Sequence, residues 1–244
     1  MLQSNTTSVG CGINTDCGQI GEKMKLEWLT RGKMMKKLVL AVLALIGSAG
    51  ICSTAYGSIA LSAHDFRLSG WADGQICLPC HAPHNGTIID DAPLWNHTVS
   101  AATYDLYSST TLDATLSQPV GVSKLCLSCH DGTIAVDSYT GHTGTIDIGT
   151  LGTGSGDIGT ELGNDHPVSF TYDAALATAD GGLFDPTTRS SLVSDLGGTI
   201  DTDMLFANRM ECSSCHDVHN KYTNDSLLLI DNAGSALCLT CHDK

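Results

Sequence analysis

Four pentapeptides hold the reactive side chains of this sequence. They are Cys77-Leu78-Pro79-Cys80-His81, Cys126-Leu127-Ser128-Cys129-His130, Cys212-Ser213-Ser214-Cys215-His216 and Cys238-Leu239-Thr240-Cys241-His242. Each reads Cys-x-x-Cys-His. Two thiols at that spacing can bond a porphyrin edge as thioethers, and the adjoining imidazole then reaches the metal at its centre, which is how c-type haem is attached. A bare Cys-x-x-Cys pair would be ambiguous, since two pairs can hold a tetrahedral zinc and one can be a redox dithiol. The fifth residue decides. Histidine makes up 10 of 244 residues, so a His behind all four pairs by accident has odds of roughly three in a million. The expectation is four covalent haem c groups, with His81, His130, His216 and His242 as proximal iron ligands.

The opposite face of each iron is either open, for catalysis, or closed by a second ligand, for electron transfer. Six other histidines are present, His64, His84, His97, His142, His166 and His219, so every iron can be closed by an imidazole. From Tyr56 onward only Met204 and Met210 could offer sulfur instead. His84 and His219 each stand three residues after a proximal His, in Cys-x-x-Cys-His-x-x-His. On a helical turn that offset keeps both rings on one side of the backbone. Such a ring cannot reach around its own porphyrin, so it must serve a neighbouring iron and hold two porphyrins close together. His64 and His166 are the other expected distal ligands, and Asp65 and Asp165 beside them could accept the second ring proton. His97 and His142 are expected to be polar or solvent-facing instead.

The elements that must position these groups are sparse. Each Cys-x-x-Cys-His is expected on a single helical turn, which brings both thiols and the imidazole to one side. Asp173–Ala179 has the composition for two helical turns. Residues 140–164 are rich in Gly and Thr without a helical period; within them Thr145–Ile148 could pair as a small hairpin, and the rest reads as loop. The attachment histidines are separated by 49, 86 and 26 residues, so no solenoid period exists. The expected fold is a mostly irregular multihaem cytochrome c with a few short helices and, at most, a small hairpin. Aromatic residues are only 5% of the chain, too few to offset chain entropy unaided. The four haems are expected to be the core, and the apoprotein to be largely unfolded.

Ahead of this domain, Lys36 and Lys37 precede the apolar run Leu38–Ile46, which is too short to span a bilayer. Small residues follow, with Ser53-x-Ala55 or Ala55-x-Gly57 as cleavage sites, so 34–57 reads as a secretory signal peptide. Residues 1–33 read as an extension upstream of a natural start at Met34 or Met35. Residues 58–244 are expected to form a single tetrahaem domain. The remaining cysteines, Cys11, Cys17 and Cys52, all precede it. From Tyr56 onward, 6 Lys and Arg stand against 23 Asp and Glu, a net charge of −17. That excludes binding to nucleic-acid phosphates and favours solubility and basic or cationic partners.

Taken in order, His64-Asp65-Phe66, CLPCHAPH at 77–84, Pro93-Leu94-Trp95-Asn96, LCLSCHDGTIAVD at 125–137, NDHPVSF at 164–170, CSSCHDVHN at 212–220 and SALCLTCH at 235–242 resemble the OmcE-type tetrahaem cytochromes of metal-reducing bacteria. Related tetrahaem proteins occur in some archaea. The resemblance runs through nearly all of the domain and is poorest in the Gly/Thr-rich loop. It implies four bis-histidine haems in a continuous row, distal ligands His64, His84, His166 and His219, and head-to-tail polymerisation into an extracellular conductive filament. It also implies that one axial histidine crosses between identical subunits, and His64, on an N-terminal arm, is the expected one. The short tail after His242 leaves little chain to cover the fourth porphyrin, whose apolar surface would then be a contact face.

The leading expectation is therefore an electron conduit, not an enzyme, secreted to the cell surface, passing electrons to other cytochromes or extracellular metal acceptors, with no stable membrane anchor. One rival is a soluble periplasmic shuttle with the same haems and no polymer. Another is a multihaem reductase, which needs an open iron and, for an anionic substrate, a basic funnel. The spare histidines and the acidic balance count against it.

Overall fold

The computed structural model describes residues 59–89, 92–151 and 156–244. The expected upstream extension, 1–33, and signal peptide, 34–57, lie outside the described residues. The architecture begins with the attachment turns. In three of them the histidine amide donates to the first cysteine's carbonyl: His81 to Cys77 at 2.8 Å, His216 to Cys212 at 3.0 Å and His242 to Cys238 at 2.9 Å. One closed turn brings both thiols and the imidazole to one side of the backbone. The second motif departs from the single-turn expectation, because it ends a ten-residue helix, α1 (Gly121–His130). The fourth sits on a shorter helix, Ala236–Cys241, and the third on a 3-10 turn, Cys212–Ser214.

Between these turns the chain is mostly irregular. Among the described residues the strands come in three pairs: β1 (Thr87–Ile89) antiparallel to β2 (Ala92–Trp95), β3 (Asp105–Leu106) parallel to β4 (Glu161–Leu162), and β5 (Phe170–Thr171) antiparallel to β6 (Arg209–Met210). The helix expected at Asp173–Ala179 is α2 (Ala174–Asp180). Asp173 is its N-cap and accepts Leu176 N at 2.9 Å, and Gly181 closes it at φ +67°. Two further short helices follow, α3 (Ile200–Asp203), capped by Thr199, and α4 (Ala236–Cys241).

The hairpin lies at β1–β2 and not at Thr145–Ile148. There the side chains take the amides that a strand would offer. Asp137 Oδ1 accepts from Thr145 N at 2.8 Å and Ile146 N at 2.9 Å, and Asp147 Oδ1 accepts from Gly149 N at 2.7 Å. Carboxylates that capture local amides favour turns over ladders, and Ile148–Leu151 closes as a 3-10 turn.

The apolar interior is small. One cluster gathers Phe170, Tyr172, Val193, Ile200, Met204, Met210 and Leu237 with Ala177 and Cys241. A second holds only Tyr104, Leu127 and Leu162. No described helix is long and apolar enough to cross a membrane.

Candidate haem sites

Three of the attachment turns are braced by neighbouring groups. Strand β2 folds back over the first motif: Ala82 N donates to Leu94 O at 2.9 Å, Asn96 N to Cys80 O at 3.0 Å, and Asn96 Nδ2 to Leu78 O at 2.5 Å. After the second motif, Asp131 turns the chain away. It is buried and accepts Ser100 Oγ and Tyr104 Oη at 2.6 Å each and Thr133 N and Oγ1 at 2.8 Å each. Asp217 does the same after the third, accepting His219 N at 3.0 Å and Lys221 N at 2.6 Å.

The structure brings the expected ligands together in pairs. The His64 and His130 ring centres are 6.0 Å apart, those of His81 and His219 are 6.4 Å apart, and those of His166 and His242 are 6.4 Å apart. A metal–imidazole bond of about 2.0 Å plus about 1.1 Å to the ring centre puts two trans imidazoles roughly 6.2 Å apart. Each pair joins one proximal histidine to one expected distal histidine. His216 and His84 are the two that remain. His64 lies beside His130 of its own chain. Burial, then the charges of His130, His216 and His219, lower its pKa to about 4, so the ring is held neutral, as a metal ligand must be.

Backbone carbonyls fix several rings. His130 Nδ1 lies 2.7 Å from Gly156 O, His216 Nδ1 2.8 Å from Ser226 O and His166 Nδ1 2.9 Å from Pro167 O. With Nδ1 donating its proton, Nε2 keeps its lone pair for a metal. The expected aspartate partners do not serve here. Asp65 is taken by Arg67, whose Nε donates at 2.8 Å, and by Leu61 N at 2.7 Å; Pro167 O takes the place expected for Asp165. Local chain geometry puts a carbonyl within reach of His166 before any side chain.

His97 is buried rather than solvent-facing. Its nitrogens meet carbonyls on both edges, Thr98 O at 2.8 Å and Ala135 O at 3.1 Å. His142 is exposed, stacked on Tyr139 at 4.6 Å with Nε2 3.8 Å from Asp73. Neither is paired with a proximal histidine in these contacts.

The eight motif thiols form no disulfide. Burial first, then the neighbouring Cys77, pushes Cys80 up to about 11; burial, then Cys80 and Asp131, pushes Cys129 up to about 12. Burial, then Cys212 and Cys238, pushes Cys215 up to about 11. Cys212 goes the other way, held below its ordinary value chiefly by its hydrogen bond with Cys126. Among the described residues no three His, Cys, Asp or Glu side chains converge as a metal-ion cage. The same influences order the sites: Cys80 neighbours Cys129, Cys126 neighbours Cys212, and Cys215 neighbours Cys238. Two buried donors, Trp95 Nε1 and Arg189 Nε, have no acceptor among the described residues, and a cofactor bearing carboxylates would satisfy them.

A family model described as a doubled CXXCH motif matches residues 205–244, covering the third and fourth motifs. This points to a multihaem c-type cytochrome. No curated protein matches the chain. Cytochromes of this kind hold haem c covalently and transfer electrons, and the paired rings above fit that cofactor. Three contributors escaped the sequence reading: the carbonyls of Gly156 and Ser226, which carry no residue signature, and Glu211. The last had a signal, because Glu211-x-x-Ser214 just before a cysteine pair has the form of a cap.

Proposed function

We propose that the chain is an electron-transfer cytochrome with four bis-histidine haems and performs no bond chemistry at any iron. The observation that carries this reading is the set of three proximal–distal ring pairs at 6.0 to 6.4 Å. Haem c supplies reversible one-electron exchange at its iron. The protein's paired imidazoles would hold that iron, exclude substrate from it and keep its coordination the same in both oxidation states. Imidazole also lacks the potential-raising effect of a methionine ligand, so the potentials are negative. His84 is assigned to the position opposite His216 because these two histidines remain once the three pairs are formed, and His84 has the same offset from His81 as His219 has from His216.

The finer reading is a secreted protein that assembles head to tail into an extracellular filament, through a heterologous interface that does not close. It is supported by the sequence resemblance and by the adjacency of successive attachment sites. In the filament, His84 of one copy meets the His216 side of the next; in a soluble periplasmic shuttle, both come from one chain. Purified holoprotein is expected to give four haems per chain by pyridine haemochrome and no zinc by metal analysis. Zinc, or fewer than four haems, overturns the reading. Negative-stain microscopy of sheared cell material shows filaments or refutes them. His84→Ala separates the two assemblies: it opens one iron in either case, and dissociates the polymer only if the ligand crosses.

A further inference from the structure

Glu211 is a carboxylate at 1% exposure, placed immediately before the third attachment motif. Its Oε2 accepts from Ser123 N at 3.2 Å and Ser169 Oγ at 2.8 Å, and its Oε1 from Arg209 Nε at 3.1 Å. Ser123 is the third residue of α1, the helix that ends in the second motif. Glu211 is also the N-cap residue of the 3-10 turn Cys212–Ser214, where Ser214 N donates to Glu211 O and Ser214 Oγ accepts Glu211 N, each at 2.9 Å. The exchange is reciprocal, since Ser123 Oγ accepts Cys212 N at 3.0 Å. Each attachment element thus caps the N-terminus of the other. Arg209 also donates to Ser169 O, and Ser169 lies three residues after His166. The cluster therefore joins segments that serve three of the four sites.

The consequence falls on the thiols. Cys126 and Cys212, from different motifs, are in contact; that contact, then burial, holds Cys126 well above its ordinary value. With haem attached, these two side chains would carry the porphyrin edges of adjacent sites. An ion pair and two caps fix their separation in the interior, where neither element can slide without stranding a charge or an amide.

We propose that Glu211, held by Arg209 and answered by Ser123, is the positioning residue of the junction between the second and third haem sites, setting both the spacing of their attached edges and the local charge. This rests on the tetrahaem reading. The test is Glu211→Gln in the full holoprotein, with Asp173→Ala, which loses the α2 cap on Leu176 N and no bond of this cluster, as a control for simple destabilisation. Four haems per chain in the parent protein secure the reading itself; with fewer, that reading fails before this one is tested. In Glu211→Gln the Soret circular dichroism couplet, which reports the mutual orientation of close porphyrins, changes. Removing the buried negative charge beside Arg209 also raises the midpoint potential of at least one haem by tenfold in its electron-sharing equilibrium, 59 mV for one electron. The control changes neither. If Glu211→Gln fails to load haem, Ser123→Ala decides: it removes only the acceptor for Cys212 N, and is expected to alter the couplet with potentials unmoved. An unchanged couplet in every variant that loads, or potentials unmoved in Glu211→Gln, overturns the proposal.

Discussion

At the scale of single residues, the histidines divide by what their second nitrogen does. His130 and His216 hand Nδ1 to a carbonyl and keep Nε2 for metal, whereas His97 meets carbonyls on both edges. Replacing His219 by Ala removes the ring facing His81. It is expected to turn one haem high-spin, and added imidazole restores the low-spin spectrum; an unchanged ferric spectrum would refute the pairing. Gly156 is equally specific. Its φ is +76°, and a Cβ there would lie 3.0 Å from His130 Nδ1. Gly156→Ala is expected to cost ~1–2 kcal/mol from the left-handed backbone alone and to perturb the spectrum of one haem, read by denaturation and by electron paramagnetic resonance. Tyr104 gives a pH dependence. Burial, then its bond to Asp131, pushes it up to about 12, against about 10 when unfolded. The folded state thus holds this proton more tightly. Its contribution to stability is complete below pH 10 and is lost as pH rises from about 10 to about 12. Tyr104→Phe should flatten the fall in denaturation midpoint across that window.

At the scale of elements, the sequence was a good guide wherever the local chain decides. The attachment turns close on themselves, and α2 is delimited by Asp173 and Gly181, both visible in the sequence. Asp173→Ala is expected to cost ~1 kcal/mol in chemical denaturation, as loss of an N-cap does. What eluded the sequence was settled by groups distant along the chain. Thr145–Ile148 alternates like a strand but gives two amides to Asp137. His64 reads as a free arm, yet its ring lies 6.0 Å from His130, 66 residues on. The second motif rides on a longer helix than expected because Glu211, 88 residues past Ser123, caps α1. No local pattern announces contacts of that separation.

At the scale of the molecule, two small apolar clusters and many irregular segments need an added source of order. The acidic balance, −17 from Tyr56 onward, opposes compaction further. Covalent porphyrins supply apolar surface that this sequence lacks. The chain expressed where haem is not attached should therefore show a disordered far-ultraviolet circular dichroism spectrum and no cooperative thermal transition; a cooperative transition in the apoprotein would mean that the polypeptide carries its own core. The central claim is that each iron lies between two imidazoles. Spin-quantified low-temperature electron paramagnetic resonance of the fully oxidised holoprotein tests it most directly. The prediction is four low-spin ferric centres per chain with no high-spin component. A high-spin ferric signal approaching one spin per chain would contradict it and reveal an open iron.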